Sequence, residues 1–575
     1  MTKAAISKKS RIDYVADFET TTDPLDCRVW GWGIVGVQTP EYDNVELGHE
    51  ITEFMERVSQ HNANVYFHNL KFDGTFIIDW LLRNDYIYTS SKFKINQGEF
   101  KALIDRMGKF YSITVLFHNG KTVEFRDSAK KFPGFSVAKI AKAFKLDEVK
   151  GEIDYDAPRP IGHVMTDEEV DYLKRDVCIV AQALKFQMDE GMHKLTVASD
   201  SMSEFKRLFG AKHFQRVFPV LSDAMDQEIR MSYRGGFTYK DERRQGIQGE
   251  GIVLDVNSLY PSVMYNEVLP YGEPRYVNGL PQATDTWPLF VMSVTFTARI
   301  KPKHIPCIQI KGNTIYGNTE YLKKIDDPVT LWVTNVDWEL WNEHYEIEVY
   351  AYNGAWAFRG AQGFFDDYIN KWMEVKARST GGRREIAKLH LNSLYGKFAS
   401  NPDVTGKYPV LENNHVAFKI GEEERRAPVY TAMGSFITAY ARRLTITAAQ
   451  ANYDTFAYAD TDSLHLLRRD TPKELDVHPT KLGAWKFEYA FQESLYVRAK
   501  FYLERKSDGT YINRAAGIPE AVSALLTFAD VFHGNTIDRA WVQARTGDFR
   551  RSGKLQPANV PGGVVLRDTD WTINI

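Results

Sequence analysis

Cysteine is scarce in this sequence, and long apolar runs are missing. Only three cysteines occur among 575 residues, namely Cys27, Cys178 and Cys307. Because they lie far apart, they argue against a disulfide framework and a cysteine zinc site, and they favour a reducing cytosol. No run of about 18 apolar residues occurs, so no transmembrane helix is expected. The basic start, MTKAAISKKS, lacks the apolar stretch of a signal peptide, so none is expected either.

A large net charge is also absent. Lys and Arg number 72 against 75 Asp and Glu, which gives a formal net charge of −3. This balance excludes a uniformly basic nucleic-acid coat protein, but it allows a basic groove beside acidic sites because charges act locally. Residues 371–397 and 537–567 each carry a local excess of Lys and Arg. Either segment by itself is typical of a solvated helix face.

The remaining composition is that of a large globular protein. Apolar residues make up 43% of the chain and charged residues 26%. The length corresponds to about four domain-sized units. Hydrophobic periodicity, caps and turn residues predict the following elements. They are strands at 11–18, 29–37 and 252–256, helices at 74–82, 167–188 (with Thr166 and Glu169 as a capping box) and 433–453, a β-rich region at 267–363, a helical region at 364–398 interrupted at Gly381-Gly382, a hairpin at 401–427, and a strand–turn–strand at 455–467.

Carboxylates recur at element ends in the first 195 residues. Asp17 and Glu19 stand two apart at the end of a predicted strand, so their side chains share a face. Asp73 lies between a strand and a helix, while Tyr172 and Asp176 are neighbours on one helix face. Four carboxylates from separate elements can hold two divalent cations for phosphodiester cleavage, with the tyrosine hydroxyl orienting a water. Each piece alone would be an ordinary surface feature.

A second set of carboxylates lies in the other half of the chain. Asp255 ends a predicted strand, and Asp460 and Asp462 flank a predicted hairpin turn. These aspartates can meet across adjacent strands. Two cations held there would lower the pKa of a primer 3′-hydroxyl and neutralise a triphosphate.

The basic helix between these aspartates supplies further binding groups. Lys388, Asn392 and Tyr395 recur at a spacing that places them on one helix face. The lysine can reach phosphate, the asparagine can hydrogen-bond, and the tyrosine can stack. Gly396 leaves room where a base pair could press on the helix.

The N-terminal set, in its Asp-Phe-Glu-Thr-Thr context, resembles the Exo I, II and III motifs of proofreading 3′–5′ exonucleases with an RNase H-like fold. By this resemblance, Asp17, Glu19, Asp73 and Asp176 hold the metals, and Tyr172 is catalytic. Lys150 matches a family lysine near the scissile phosphate. The residues that match those holding a single-stranded 3′ end are Thr20, Asn69, Phe72 and Ser128.

The second set resembles motifs A, B and C of family B DNA polymerases. These are Asp255-x-x-Ser258-Leu259-Tyr260-Pro261, Lys388-x-x-x-Asn392-Ser393-x-Tyr395-Gly396 and Tyr458-x-Asp460-Thr461-Asp462-Ser463, in that order. Nearly the whole chain resembles the protein-primed replicative polymerases of small tailed phages, the phi-twenty-nine group. Tyr233-Arg234-Gly235-Gly236 matches that group's linker between exonuclease and polymerase domains, and Lys500-Phe501-Tyr502 its primer-end motif.

The resemblance implies residue roles in the polymerase site. Asp255, Val256 and Asp462 would bind metal, with Asp460 assisting. Lys376 and Lys388 would hold the triphosphate, and Tyr260 would lie under the sugar. Tyr395, Asn392 and Gly396 would line the base-pair pocket, while Lys500, Tyr502, Tyr233, Gly235 and Gly236 would contact DNA. Mg²⁺, two ions per site, is the expected cofactor, with Mn²⁺ possible.

The resemblance also implies the architecture and the partners. The expected fold is multidomain α/β and α+β, with an RNase H-like 3′–5′ exonuclease domain (1–195) before a right-hand polymerase domain. The latter comprises palm (196–266 and 425–529), a first insertion that docks the priming protein (267–363), fingers (364–399), a second insertion that helps enclose DNA (400–424) and thumb (530–575). Expected partners are primer–template and single-stranded DNA, dNTPs and a terminal protein, with no membrane. The enzyme would be a monomer in the cytoplasm of an infected bacterium, with intrinsic strand displacement and processivity.

Two other classes of function remain open at this point. A nuclease with a large accessory domain would have no use for Asp255, Asp462 and Lys388. A non-enzymatic nucleic-acid-binding protein would need no carboxylate clusters and would be more basic. Primer extension with and without dNTPs discriminates among the three.

Overall fold

The structure is a computed structural model that describes residues 11–91, 94–146, 151, 153–155, 157–310, 320–532, 536–546, 554–569 and 573–574. Among these residues, no helix is both long and apolar enough to span a bilayer. Lys150, one of the predicted site residues, lies outside the described residues.

The N-terminal domain is built on one eight-stranded sheet. Its strands are β1 (Ile12–Thr20), β2 (Val29–Gly36), β3 (Glu46–Gly48), β4 (Ala63–Phe67), β5 (Ile87–Tyr88), β6 (Glu99–Ile104), β7 (Phe110–Leu116) and β8 (Thr122–Asp127). Its helices are α1 (Ile51–Val58), α2 (Asp73–Arg83), α3 (Val137–Phe144) and α4 (Asp167–Asp189). The strand order is β3-β2-β1-β4-β8-β7-β6-β5.

Two features of this sheet position the N-terminal carboxylates. β1 runs parallel to β4, and β4 parallel to β8, so the carboxyl ends of three strands meet at one edge. α4 packs across β1 and β2 and starts at the capping box of Thr166 and Glu169, which confirms that prediction. The helix therefore presents its buried face to the end of β1.

The chain then crosses short helices into a mixed region. These elements are α5 (Val197–Phe209), α6 (Ala211–Val217), α7 (Asp223–Arg230), β9 (Thr238–Lys240), β10 (Gly251–Val256) and α8 (Leu259–Asn266). They are followed by β11 (Leu269–Val277), β12 (Leu289–Ile300), β13 (Lys324–Thr334), α9 (Asn335–His344) and β14 (Tyr345–Ala361). The region predicted to be β-rich thus forms a four-stranded sheet, β11-β14-β12-β13, and adds one helix that the sequence did not predict.

The rest of the chain alternates helices with antiparallel strands. The first group is α10 (Asp366–Arg378), α11 (Gly381–Ser393), α12 (Tyr395–Phe398), β15 (Asp403–Glu412), β16 (His415–Arg425), α13 (Thr431–Ala451), β17 (Phe456–Asp460), β18 (Ser463–Leu466) and β19 (Trp485–Phe491). The second is β20 (Glu493–Arg498), β21 (Phe501–Arg505), β22 (Tyr511–Ala515), α14 (Glu520–Ser523), α15 (Phe528–Phe532), β23 (Thr536–Ile537), α16 (Arg539–Thr546), β24 (Lys554–Val560), β25 (Gly563–Thr569) and β26 (Ile573–Asn574).

The helical region does not break where the sequence predicted. The interruption falls at Ser379-Thr380, and α11 begins with the glycines themselves. A Cβ on Gly382 would lie 2.6 Å from the ring of Phe144 in α3. The glycine pair therefore permits close packing of α11 on the N-terminal domain rather than ending a helix.

A central sheet joins distant parts of the second half in the order β19-β10-β18-β17-β9. All its pairs are antiparallel. Asp255 on β10 stands opposite Ser463 on β18, and Asp460 on β17 stands opposite Thr238 on β9. This register brings the three predicted aspartates to one end of the sheet.

Two hairpins reach back to the N-terminal domain. The β15–β16 hairpin, which the sequence predicted, stacks Tyr408 on Tyr88 with ring centroids 5.9 Å apart, and its Asn414 accepts from Arg83 at 2.8 Å. Asn559 of β24 donates to the backbone oxygen of Val416 at 2.7 Å, which links the two hairpins. The turn between β24 and β25 leaves no room for side chains, since a Cβ on Gly562 would lie 2.2 Å from the backbone oxygen of Cys27.

Candidate active sites

The N-terminal site gathers four carboxylates from three elements. Asp17 and Glu19 lie on β1, Asp73 is the first residue of α2, and Asp176 lies on α4. Glu19, Asp73 and Asp176 are only 6%, 3% and 4% exposed. Burial makes ionised carboxylates costly, so a group of them brought together indicates a site for positive charge.

Asp73 gives the clearest indication that positive charge binds at this site. Burial, and after it the charge of Asp17, raises the pKa of Asp73 well above its usual value. Its Oδ1 atom is buried and has no hydrogen-bond partner among the described residues. An oxygen in this condition fits a divalent cation, which prefers carboxylate ligands.

Tyr172 stands beside these carboxylates on the buried face of α4. Its hydroxyl is 2.6 Å from the hydroxyl of Tyr155. Burial, the charge of Asp176 and this hydrogen bond raise the pKa of Tyr172, so it remains a neutral hydroxyl that can donate. A Cβ on Gly151 would lie 3.3 Å from the Tyr172 ring, so the glycine itself packs closely against this tyrosine.

The loop before Asp73 is held by a residue that the sequence reading missed. The Asp127 carboxylate, at the end of β8, accepts from the N–H groups of Asn69 at 3.1 Å and Leu70 at 3.3 Å. Asn69 has a φ of 74°, and its side chain is exposed. Asp127 thus stabilises a strained turn that exposes Asn69 to solvent. The only indication of this role in the sequence was the position of Asp127 at the end of a strand parallel to β4.

The other residues assigned to the 3′ end differ in accessibility. Thr20 and Phe72 are half-buried at the site edge, where both can be reached. Ser128 is fully buried, and its Oγ is 3.0 Å from Nδ1 of His68. The assignment of Ser128 to the 3′ end stays a prediction, and in this structure its hydroxyl contacts His68.

The second site lies where β10, β17 and β18 end. The Val256 N–H donates to the backbone oxygen of Asp462 at 2.8 Å, so the two predicted metal-ligand positions are tied together. Burial and the charge of Asp462 raise the pKa of Asp255 to about 7, and burial also raises the pKa of Asp462. Valine can serve as a ligand only through its backbone oxygen.

The negative charge of Asp460 is balanced by a lysine of the protein itself. Both of its carboxylate oxygens accept from Nζ of Lys500, at 3.0 and 3.1 Å, and Oδ1 accepts from the Thr238 hydroxyl at 2.8 Å. The N–H of Lys500 donates to the Tyr458 hydroxyl at 2.9 Å, and the Tyr502 ring packs on Tyr458. The predicted primer-end motif is therefore attached directly to the aspartate turn.

The Tyr233–Gly236 linker also touches this turn. Thr461 has a φ of 61°, and its N–H donates to the backbone oxygen of Phe237 at 2.6 Å. A Cβ on Gly236 would lie 2.6 Å from Oγ1 of Thr461. Glycine is required here because any side chain would displace the turn between Asp460 and Asp462. Gly235, in contrast, would meet no atom of the described residues within 4 Å.

Cationic side chains approach from α10 and α11. Nζ of Lys376 donates to the Ser258 hydroxyl at 3.2 Å, and Nζ of Lys388 is 2.6 Å from Oε1 of Glu385. Burial and then the nearby cations Arg384 and Lys388 lower the pKa of Lys376. The crowding of like charges indicates a place prepared for an anion.

Stacked aromatic rings lie beside the aspartates of the second site. Tyr260 and Tyr395 stack with ring centroids 3.9 Å apart, and burial and then the charge of Tyr395 raise the pKa of the neighbouring Tyr233. Asn392 and Gly396 are exposed on the same side. A Cβ on Gly396 would meet nothing within 4 Å in the described part of the chain, so the space above it is open.

A charged pair on β19 was not anticipated from the sequence. Lys486 stands opposite Asp255 in the sheet register, and its Nζ is 2.6 Å from Oε1 of Glu488. The alternation Lys-Phe-Glu just beyond the aspartate hairpin was the only available signal.

In neither site do the side chains already form a closed cage. No group of three or more His, Cys, Asp or Glu side chains in the described ranges is arranged to hold a metal ion as it stands.

Comparison with known proteins decides the family. The model of DNA polymerase type B, organellar and viral, matches residues 54–162 and 158–479. The DNA polymerase of Bacillus phage Nf is 43% identical over 98% of this chain and 100% of its own length. The chain belongs to the phi29 group of type B DNA polymerases. It is a DNA-directed DNA polymerase, of a family in which 3′–5′ exonuclease activity is known.

Solved structures agree with this assignment of the polymerase. Phi29 DNA polymerase complexed with primer–template DNA and incoming nucleotide matches with a TM-score of 0.90 and 42% identity, over 98% of this chain and 100% of that one. The same enzyme complexed with single-stranded DNA matches with a TM-score of 0.88 and 41% identity, over 98% and 100% of the two chains. The predicted fold class, an exonuclease domain followed by a right-hand polymerase domain, is confirmed. Family B polymerases use divalent metal ions.

Proposed function

We propose that this polymerase replicates a phage genome from a protein primer and corrects its product with a separate 3′–5′ exonuclease site. The observation that carries the proposal is the presence of two carboxylate groups on two different sheets. One lies at the edge of the N-terminal sheet, and the other lies at the end of the central sheet. Hydrolysis and nucleotide addition would then occur at separate places.

The donor sets fit two Mg²⁺ ions per site, with Mn²⁺ as a substitute. Asp17, Glu19, Asp73 and Asp176 would hold them in the first site, and Asp255, Asp462 and the Val256 backbone oxygen in the second. The buried, unpartnered Oδ1 of Asp73 supports this fit. When bound, the ions would activate an attacking oxygen and stabilise the leaving one. Tyr172 would orient the water, and Asp460 would hold Lys500.

In the polymerase site, the side chains on the fingers helices would grip the nucleotide. Lys376 and Lys388 would hold the triphosphate, and Tyr260 would lie beneath the sugar. Tyr395, Asn392 and Gly396 would line the base pair. Lys500 and Tyr502 would hold the primer end, while Tyr233, Gly235 and Gly236 would support the template side. This extends to our chain what phi29 DNA polymerase binds in its complexes, namely primer–template DNA and nucleotide.

In the exonuclease site, a single-stranded 3′ end would bind along the Asn69 turn. Asn69, Thr20 and Phe72 are accessible to it, and Lys150 would approach the scissile phosphate. Phi29 DNA polymerase has been solved with single-stranded DNA, which supports such a partner.

Enclosure of the DNA would supply processivity and strand displacement. The β15–β16 hairpin contacts the exonuclease domain through Tyr408 and Asn414, and β24 through Asn559. The β24–β25 turn contacts the same domain at Cys27. These contacts support a closed passage, from which DNA dissociates slowly and in which one strand is peeled from the other.

The first insertion, 267–363, would dock the terminal protein, whose hydroxyl replaces the primer 3′-hydroxyl. The remaining domain bounds are proposed as above: exonuclease 1–195, palm 196–266 and 425–529, fingers 364–399, second insertion 400–424 and thumb 530–575. The enzyme would act as a monomer in the cytoplasm of a phage-infected bacterium.

Primer extension on a long, singly primed circular template without accessory proteins tests the proposal. Full-length and longer products with dNTPs, and 3′ shortening without them, are expected. Digestion under both conditions would leave only the nuclease with an accessory domain. Removal of residues 403–424 should shorten products and abolish displacement while single-nucleotide addition survives; unchanged copying of nicked duplex would refute the enclosure.

A further inference from the structure

The charged pair on β19 has no role in the site described so far. Lys486 is the direct antiparallel partner of Asp255, so the two side chains emerge on the same face of the central sheet. A bulge between Val253 and Leu254 alters the register just before this pair. Bulges re-aim side chains beside functional sites, and here the bulge sets Lys486 against the aspartate.

Lys486 also acts electrostatically on α10. Its charge lowers the pKa of Lys376, as do the charges of Arg384 and Lys388. It lowers the pKa of Asp255 as well. One ammonium group therefore lies within electrostatic reach of both a metal-ligand aspartate and a lysine aimed at the same space. Lys486 lies on β19 of the central sheet, whereas Lys376 and Lys388 lie on α10 and α11.

Glu488 holds Lys486 in this position. Glu488 is the β19 residue that the bulge leaves without an opposite residue on β10, and its Oε1 atom is 2.6 Å from Nζ of Lys486. The side chains are 41% and 38% exposed, so the ammonium group remains accessible to a ligand. A fixed, accessible cation beside two others suits an oxyanion with several charges.

We propose that Lys486 is a third triphosphate-binding lysine, which contacts the incoming nucleotide and the departing pyrophosphate from the palm side. This rests on the proposed location of the polymerase site at Asp255. Lys486 would take up a phosphate oxygen while Glu488 keeps its side chain extended over the sheet. If Lys486 only protected the exposed edge of β19 from pairing with another strand, it would contact neither the nucleotide nor the pyrophosphate.

Steady-state addition of one nucleotide to a primer, at varied dNTP concentration, tests this with Lys486→Gln and Lys486→Arg. We expect Lys486→Gln to raise the KM for dNTP about tenfold, as loss of one charge-assisted hydrogen bond implies, with a smaller change in kcat. Inhibition by added pyrophosphate should weaken in parallel, and Lys486→Arg should restore both. Lys481→Gln is the matched control, since Lys481 also pairs with an acid, Asp476, at 2.5 Å on the same segment.

The outcomes are distinct. A KM for Lys486→Gln within about twofold of that for Lys481→Gln overturns the inference. So does a fall in kcat with unchanged KM and pyrophosphate inhibition, because it would assign Lys486 to tuning Asp255. Digestion of single-stranded DNA should stay normal in every variant, which shows that the chain is folded. If Asp255→Asn still adds nucleotides, the proposed site itself is wrong; if it does not, a failure of Lys486→Gln concerns the lysine alone.

Discussion

The two carboxylate sites of this polymerase are built differently. In the N-terminal site, Glu19, Asp73 and Asp176 are nearly fully buried on a strand and two helices. In the second site, Asp255, Asp460 and Asp462 are partly exposed at strand ends, and Lys500 and Lys486 lie against them. The first site keeps its carboxylates away from solvent, whereas the second is more open and has protein cations beside its carboxylates. Burying the carboxylates and placing lysines beside them are two different ways in which a protein can prepare a site for metal ions.

Removing ligands should separate the two sites completely. Asp17→Ala combined with Asp73→Ala should lower 3′ digestion about a thousandfold or more while extension persists, because each lost ligand costs several kcal/mol of transition-state stabilisation. Asp255→Ala or Asp462→Ala should have the opposite effect. Gel assays of labelled primer, with and without dNTPs, measure both activities. A well-folded single variant that loses both would show that the sites are not independent.

Displacing the aspartate turn should damage only the exposed site. Gly236→Ala places a methyl group against Thr461, and a shift of about 1 Å in a catalytic constellation can cost about a hundredfold in rate. Nucleotide addition should fall accordingly, while digestion of single-stranded DNA should not change. Gly235→Ala is the control, because a Cβ there has free space among the described residues. Equal effects of the two substitutions would contradict this account.

The open site must also choose its sugar by shape. Tyr260 stacks on Tyr395, and in the proposed site its ring would fill the volume that a 2′-hydroxyl needs. Tyr260→Val should therefore raise the ratio of rNTP to dNTP incorporation by about tenfold or more. Competition assays with both nucleotides measure the ratio; an unchanged value would place sugar selection elsewhere.

Stability without metal should reveal the cost of the buried site. The pKa of Asp73 is raised in the folded state, so its ionised form destabilises the fold increasingly as pH rises above the unfolded value. In EDTA at neutral pH, Asp73→Asn should raise the unfolding temperature of the domain by about 2 °C, and the gain should vanish below about pH 4.

Asp255→Asn is the comparison for this measurement, since Lys486 already offsets part of the charge of Asp255. It should give a smaller gain. Thermal scans in EDTA and in Mg²⁺ test both variants, and a larger gain for Asp255→Asn would reverse the proposed contrast between the sites.

The sequence predicted what is local. Asp460 and Asp462 flank a hairpin turn, so local geometry alone brings them together. Asp255 joins them through the long-range pairing of β10 with β18, which its place at the end of a strand allowed us to expect. Lys486 and Asp127 were missed because their roles depend on strand register and on contacts across the sheet, which leave no periodic trace. Ser128 was assigned to the 3′ end by its resemblance to a family residue, and the motif gave no sign that it would be buried. Motifs identify which residues matter, while only packing tells which of them are accessible.

The glycine turn between β24 and β25 has a consequence for how DNA first enters the enzyme. The turn rests directly on the backbone of Cys27 and on the ring of Phe76, so close that side chains are excluded. If this contact completes the proposed enclosure, a linear molecule can thread its end through, but a circle can enter only when the turn lifts away. The rate at which circular templates are loaded would then be limited by the opening of the β24–β25 turn. It would not depend on how tightly the enzyme holds the DNA afterwards.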